Sequence, residues 1–388
     1  MLMTTHKNAD AELVAQSDNS VVFQTLGTAS GKQIGVVTLN VEKALNSLNL
    51  TMVNAMTKQL LQWQNDDGIA MVMLDGAGEK AFCAGGDVRA IYHASIESPG
   101  EVTEQAETFF EREYRLDYLL HTLGKPVMVW GDGIVMGGGL GLMAGASHRV
   151  LTERSRIAMP EVTIGLYPDV GGSYFLNRMP GKTGLFLGLT AYNMNAGDAK
   201  YVGVGNHYLN SDSKEPLLDH LATLSWGDDC KLNHRLLTEQ LNAMEQEAAV
   251  PLPQGQLEAK QTEIDELMTG SLTEIVERVS SVDCHDSWLE RPLKTLLSGS
   301  PLSWHLIYRQ ALLGTSLSLA EVFKFELGCS VNCCAIGDFS EGVRALLIDK
   351  DRQPKWRYRE VSAVPKDLIE QLITSPWADT EHPLKSMV

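Results

Sequence analysis

Residues 131–172, GDGIVMGGGLGLMAGASHRVLTERSRIAMPEVTIGLYPDVGG, decide how this chain is read. A glycine triplet, Gly137, Gly138 and Gly139, opens an apolar run, Leu140 to Ala146, that is competent to form a helix. Glycine has no Cβ, so its amide can approach a ligand closely. Amides at a helix N-terminus also lack intrahelical partners and carry the positive end of the dipole. That arrangement suits a developing oxyanion. Two isolated acids follow, Glu161 and Asp169, either of which could serve as a nucleophile or proton carrier.

Upstream, AFCAGGDVR (81–89) sets a second glycine pair, Gly85 and Gly86, between a strand and a helix that Asp87 is suited to cap. Two glycine turns after strands favour a pair of oxyanion donors over two unrelated tight turns. Competing motifs fail. Gly131-x-Gly133-x-x-Met136 lacks the third glycine of a dinucleotide fingerprint, and GTASGK (27–32) lacks the spacing and hydroxyl of a phosphate loop. Neither GxSxG nor HExxH occurs, which removes serine-hydrolase and zinc-protease readings.

Around this centre, Val21–Thr25 and Ile34–Leu39 read as a hairpin. Thr51 is suited to cap a helix whose apolar face is Met52, Met56, Leu60 and Leu61. Met71–Leu74, Val127–Trp130, His148–Thr152 and Arg156–Met159 read as strands, so strand, strand, helix recurs without a strict repeat. Beyond residue 180 the pattern is helical. Residues 211–280 are polar and acidic, with a break at PLPQG (251–255), and apolar periodicity returns over Leu293–Leu327. The first 19 residues and the last dozen carry the marks of loosely ordered ends.

A chain of 388 residues can bury one large core or two smaller ones. Its net charge of −17 argues against general binding to nucleic acid or anionic membranes, which needs basic surface. A phosphate-bearing ligand must therefore meet a local basic patch. The six cysteines read as reduced thiols, and Cys329, Cys333 and Cys334 match no standard zinc spacing. No apolar run approaches the roughly 20 residues that span a bilayer. Before Lys32 the only basic residue besides His6 is Lys7, among Asp10, Glu12 and Asp18, so no targeting segment is read and the expected location is the cytoplasm.

At AFCAGGD, MGGGLGL and MPEVTIGLYPDVGG the chain resembles the crotonase (enoyl-CoA hydratase/isomerase) superfamily, and within it the branch that hydrolyses 3-hydroxyisobutyryl-CoA. FFEREY (109–114) and DFSEGVRALLIDKDRQPKW (338–356) extend the resemblance over most of the chain. It implies an α/β fold with a crotonase-like β-β-α spiral core over 20–210. A helical C-terminal region over 211–375 completes the same domain, between a flexible 1–19 and a tail at 376–388. It also implies that a thioester oxygen sits between the amides of Gly86 and Gly138. Hydratases of this superfamily carry a glutamate three residues after the central glycine; here that position is Gly141. The second glutamate remains as Glu161, and Asp169 stands where hydratases have a small residue.

The resemblance makes Glu161 the central catalytic carboxylate, attacking the thioester or activating water, where its strand-end position alone would suit a surface charge. Asp169, otherwise a helix cap, becomes a group for the substrate 3-hydroxyl or the departing thiolate. Glu113, otherwise a solvated helix charge, becomes a substrate-site residue. Main chain at Ala44–Asn46 and at Cys83, Ala84, Gly85 and Gly86 is implied to hold pantetheine and adenine. Lys43, Lys80, Arg89 and Lys324 are candidates for the CoA phosphates. The implied activity is an acyl-CoA thioesterase needing no metal or redox cofactor, CoA being part of the substrate. A hydratase or isomerase of the same fold and a non-catalytic acyl-CoA-binding subunit are the alternatives. Oligomeric assembly and acyl-chain preference stay open.

Overall fold

The computed structural model describes residues 19–248, 250–282 and 287–388. Strands β1 (Val21–Gly27) and β2 (Gln33–Leu39) form the expected antiparallel hairpin, with Val21 opposite Leu39. Every later strand pairing is parallel. Helix α1 (Leu50–Gln64) leads to β3 (Ile69–Gly76), which is apolar as far as Leu74 and buried on both faces, as interior parallel strands are. The cap of α1 differs from the expected Thr51. Asn49, in extended backbone, accepts the Met52 amide at 2.9 Å, so Thr51 lies inside the first turn.

After β3, successive strands go alternately to two sheets. β4 (Ala81–Cys83) is followed by α2 (Arg89–Glu97) and α3 (Glu104–Thr122). Then come β5 (Val127–Gly131), β6 (Ile134–Met136) and α4 (Gly138–Gly145), and after them β7 (His148–Leu151) and β8 (Arg156–Ala158). The larger sheet runs β1-β2-β3-β5-β7-β9, closed by β9 (His207–Tyr208), and the smaller runs β4-β6-β8. One strand to each sheet and a return through helix is the β-β-α spiral. The strand at β6, hidden between two glycine segments, is not legible in the sequence.

Helices then take over: α5 (Gly172–Phe175), α6 (Thr183–Thr190) and α7 (Ala196–Tyr201) before β9, and α8 (Lys214–Thr223) and α9 (Cys230–Ala248) after it. Beyond the Pro/Gly stretch at 251–255 come α10 (Gln261–Leu267), α11 (Leu272–Ser281), α12 (Ser287–Ser298), α13 (Pro301–Leu313), α14 (Leu319–Ile336), α15 (Phe339–Val343) and α16 (Lys366–Ile373). Alternate residues of a strand face opposite ways. Met71 and Met73 of β3 therefore pack with Leu217, Leu221, Leu237 and Leu241 of α8 and α9, while Val72 and Leu74 join the main core with α1 and α3.

The last residues do not fray. Leu384 and Met387 are buried, Arg115 of α3 donates to the Pro383 carbonyl at 2.6 Å, and Lys324 of α14 donates to the Met387 carbonyl at 3.0 Å. Two apolar side chains and two cations outweigh the loss of chain freedom that an end normally keeps. The expected flexible N-terminus, and with it the evidence for a cytoplasmic location, falls on residues 1–18, outside the described residues.

Candidate active site

Parallel pairing explains why the Gly86 amide is free. The bridge between Leu48 and Gly86 is made by the flanking groups: Leu48 donates to the Gly85 carbonyl at 2.8 Å, and Asp87 donates to the Leu48 carbonyl at 2.7 Å. Gly86 thus contributes neither of its own polar groups. Gly138 is the first residue of α4, capped by Gly137 with φ 51°, so its amide has no intrahelical acceptor. The two turns abut, since a Cβ built on Gly85 would lie 3.7 Å from the Gly138 nitrogen.

Glycines along α4 also let other segments close on it. A Cβ on Gly139 would meet the Cys83 carbonyl at 2.3 Å, and one on Gly145 would meet Leu120 of α3 at 2.8 Å. The close approach of α3 brings its acids to the glycine turns. Glu113 Oε1 is 2.3 Å from the Cβ position of Gly138, and Glu161 Oε1 is 2.8 Å from that of Gly137. At Gly141 the space is taken by Val170 and by Asp117 Oδ2, at 2.6 and 3.1 Å from the built Cβ.

A cavity of about 160 Å³ is lined by Ala84, Gly85, Gly86, Glu113, Gly137, Gly138, Glu161 and Asp169, with Phe109, Val170, Leu346 and Leu347 among its apolar walls. Hollows of about 480 and 560 Å³ lie elsewhere, away from all these groups. Seven of the ten expected site residues therefore meet around one space. The other three do not line it. Ala44 is exposed, and Cys83 is fully buried with its thiol pushed up to about 12 by that burial. Asn46 is buried with its side chain fully engaged: it accepts the Val41 amide and donates to the Ala77 and Ala81 carbonyls. Both loops are laced together, Ala84 donating to the Leu45 carbonyl at 3.0 Å.

Burial dominates the acids. Desolvation, then the neighbouring Asp169 charge, raises Glu161 and Glu113 well above the ordinary glutamate range. Asp117 is raised by burial and then by Glu113 and Asp169. Asp169 itself is lifted by burial to about 6 against the pull of its Tyr114 partner. Among the described residues, Glu161 Oε2, Glu113 Oε1 and both Asp117 oxygens find no hydrogen-bond partner. So Glu113, which periodicity alone makes a solvated charge, is 2% exposed. Asp117 was missed although the signal was present: it sits four residues after Glu113 in the apolar stripe Phe109, Phe110, Tyr114, Leu116, Leu120.

The loop bearing Asp169 is pinned from behind. Glu326 of α14 accepts the Gly171 and Ser173 amides at 2.7 and 2.8 Å, and Gln310 of α13 holds the Pro168 carbonyl. Asp169 is accordingly no helix cap; Gly171 takes that place before α5. Asp87 stands one residue ahead of the α2 cap, Val88, accepting the Arg89 amide at 3.3 Å. Of the cationic candidates, Lys324 is committed to Met387 and Arg89 pairs with Asp87, while Lys43 and Lys80 lie exposed. Two free amides beside a carboxylate in a cavity with largely apolar walls can polarise a carbonyl and attack it.

Residues 34–373 match the family model described as enoyl-CoA hydratase/isomerase. The 3-hydroxyisobutyryl-CoA hydrolase, mitochondrial, of Danio rerio is 39% identical over 366 residues, 93% of this chain and 91% of that one. Small ribosomal subunit protein mS47 of Neurospora crassa is 36% identical over 342 residues, 85% of this chain and 67% of that one. An enoyl-CoA hydratase structure from Rhodobacter sphaeroides 2.4.1 superimposes with a TM-score of 0.78 at 32% identity, covering 92% of this chain and 98% of that one. Among the described residues no helix is long and apolar enough to cross a membrane.

Proposed function

Because this chain belongs to the enoyl-CoA hydratase/isomerase family, we propose that it hydrolyses short 3-hydroxyacyl-CoA thioesters, 3-hydroxyisobutyryl-CoA foremost, to the hydroxy acid and CoA, a step of valine breakdown. The observation that carries this is the meeting of Glu161 with the free amides of Gly86 and Gly138 where position 141 offers no acid. A hydratase needs a base for water and an acid for the adjacent carbon. Gly141 itself carries no acid, and the space beside it is filled by Val170 and by Asp117, which does not line the cavity.

In the proposed reaction the thioester oxygen accepts from both amides, each donor being worth roughly 3–4 kcal/mol as charge develops. Glu161 attacks the carbonyl carbon, the C–S bond breaks, and Asp169 protonates the thiolate. Water then opens the mixed anhydride. Direct activation of water by Glu161 gives the same products, and borohydride trapping during turnover separates the two routes by marking Glu161 with a mass change. No metal or redox group takes part in this scheme.

The test is a panel of saturated 3-hydroxyacyl-CoA thioesters assayed with a thiol reagent. Thiol release without change in enoyl absorbance is expected; hydration of an enoyl-CoA with no thiol released overturns the reading. A non-catalytic role has one observation in its favour, the likeness to a protein named as a ribosomal subunit. Tight acyl-CoA binding without turnover would decide for it.

A further inference from the structure

Behind the cavity four polar contacts run in line. Asp169 Oδ2 lies 2.7 Å from the Tyr114 hydroxyl, which lies 2.7 Å from the Ser330 hydroxyl. Ser330 lies 2.9 Å from the Tyr167 hydroxyl, and Tyr167 donates to the Glu326 backbone carbonyl at 2.7 Å. All four side chains are buried, at 4% exposure or less. The carbonyl at the end can only accept.

Four contacts need four protons, and three hydroxyls supply three. With Asp169 ionised, Tyr114 and Tyr167 donate outward to the two ends. The single Ser330 proton then serves one neighbour, and the other contact sets two oxygens below 3 Å apart with no hydrogen between them. A proton on Asp169 resolves this. Every contact is then a hydrogen bond running one way, from Asp169 through Tyr114, Ser330 and Tyr167 to the carbonyl.

We propose that the Tyr114–Ser330–Tyr167 hydroxyl chain holds the proton on Asp169 until a leaving thiolate takes it, which makes these three tyrosine and serine side chains positioning residues. This rests on the thioester-hydrolase reading of the site. The electron pair of the broken C–S bond stays on sulfur, which takes the Asp169 proton and leaves as CoA thiol. Tyr114 then turns its hydroxyl toward the new carboxylate. Water opening the anhydride yields two protons: one returns to Asp169 and the other departs with the acid product. The groups acting on the Asp169 site are Glu113, Tyr114 and Asp117 of α3, Glu161 opening the 3-10 turn after β8, Tyr167 on its own loop, and Glu326, Cys333 and Cys334 of α14. Burial already shifts the balance toward the protonated form, lifting Asp169 from 3.8 to about 6.

Ser330→Ala is the test, because it leaves Tyr114 with the Asp169 carboxylate as its one acceptor and removes the preference for the neutral acid. The protonated-carboxyl band of Asp169, identified by its loss in Asp169→Asn, is followed by infrared spectroscopy across pH without any need for turnover. The midpoint is expected to fall by about one pH unit, the worth of one hydrogen bond. Ser330→Thr, which keeps the hydroxyl, should restore it. An unchanged midpoint in Ser330→Ala overturns the chain. So does a wild-type midpoint in the ordinary aspartate range, a measurement that needs no variant of Ser330. If the midpoint moves but the alkaline limb of kcat does not, the chain stands and the role of Asp169 as the acid falls.

Discussion

Glu161→Gln should make the protein more stable and nearly inactive at once. The side chain is 6% exposed, its Oε2 has no partner, and burial with the Asp169 and Glu113 charges raises its pKa well above the ordinary range. An amide of the same shape keeps the unpartnered polar atom but removes the buried charge and its repulsion with Asp169 and Glu113, and should recover about 1–3 kcal/mol. The melting temperature should rise by a few degrees. The amide is neither a competent nucleophile nor a base, so kcat should fall at least about 10³-fold, equivalent to roughly 4 kcal/mol. Calorimetric melting and steady-state thiol release on the same preparation measure both. Activity within about tenfold of wild type would remove Glu161 from the chemistry, since a lost transition-state group costs far more. A lowered melting temperature would mean that the ionised carboxylate has a stabilising partner.

Stability should fall as pH rises. Glu326 is lifted by burial from 4.5 to about 8, and a folded-state pKa raised in this way gives stability that is full below the unfolded value and lost through the folded one. The loss, on the order of 5 kcal/mol between about pH 4.5 and 8, should appear as a falling urea midpoint; a rising one refutes it. Glu245 works oppositely: the His207 ring 3.5 Å away, the Lys200 ammonium and the Tyr208 amide hold it down to about 2 against the cost of burial, so its contribution vanishes only in stronger acid. Removing residues 376–388 exposes the sites of Leu384 and Met387 and should cost about 3–5 kcal/mol, with kcat falling because α3 loses its outer support; an unchanged melt would show that the tail is dispensable. Asn46→Ala orphans the Ala81 carbonyl and two further groups, and should cost about 2–3 kcal/mol by chemical denaturation. If stability holds while CoA-thioester affinity collapses, Asn46 instead touches the ligand.

The residues around 131–172 carried most of what could be read. Glycines at 86 and 138 are legible because their constraint is local: a free amide and a close approach show up as the absence of a side chain. Strand alternation and the hairpin are legible for the same reason. Glu113 and Asp117 are harder, because whether a helical acid faces water or a cavity depends on what packs there, and here the glycines of α4 decide it from another part of the chain. Ser330 gives no local sign at all. It lies 216 residues from Tyr114 in sequence and acquires its place only when α14 docks on α3. The ordered tail escapes detection likewise, since two apolar residues near a terminus reveal nothing of the groove that receives them.

The occupied space opposite Gly141 bears on how such a site can diverge. A glutamate placed there by one substitution would drive its Cβ against Val170, whose own φ of 50° leaves it little freedom to retreat, and would press its stem toward Asp117. Return to a two-acid arrangement therefore requires Val170 to shrink and Asp117 to give way first, neither of which supplies the missing acid by itself. Mutational order becomes a ratchet, and laboratory evolution toward hydration should find its first accepted changes at 170 and 117, before any at 141.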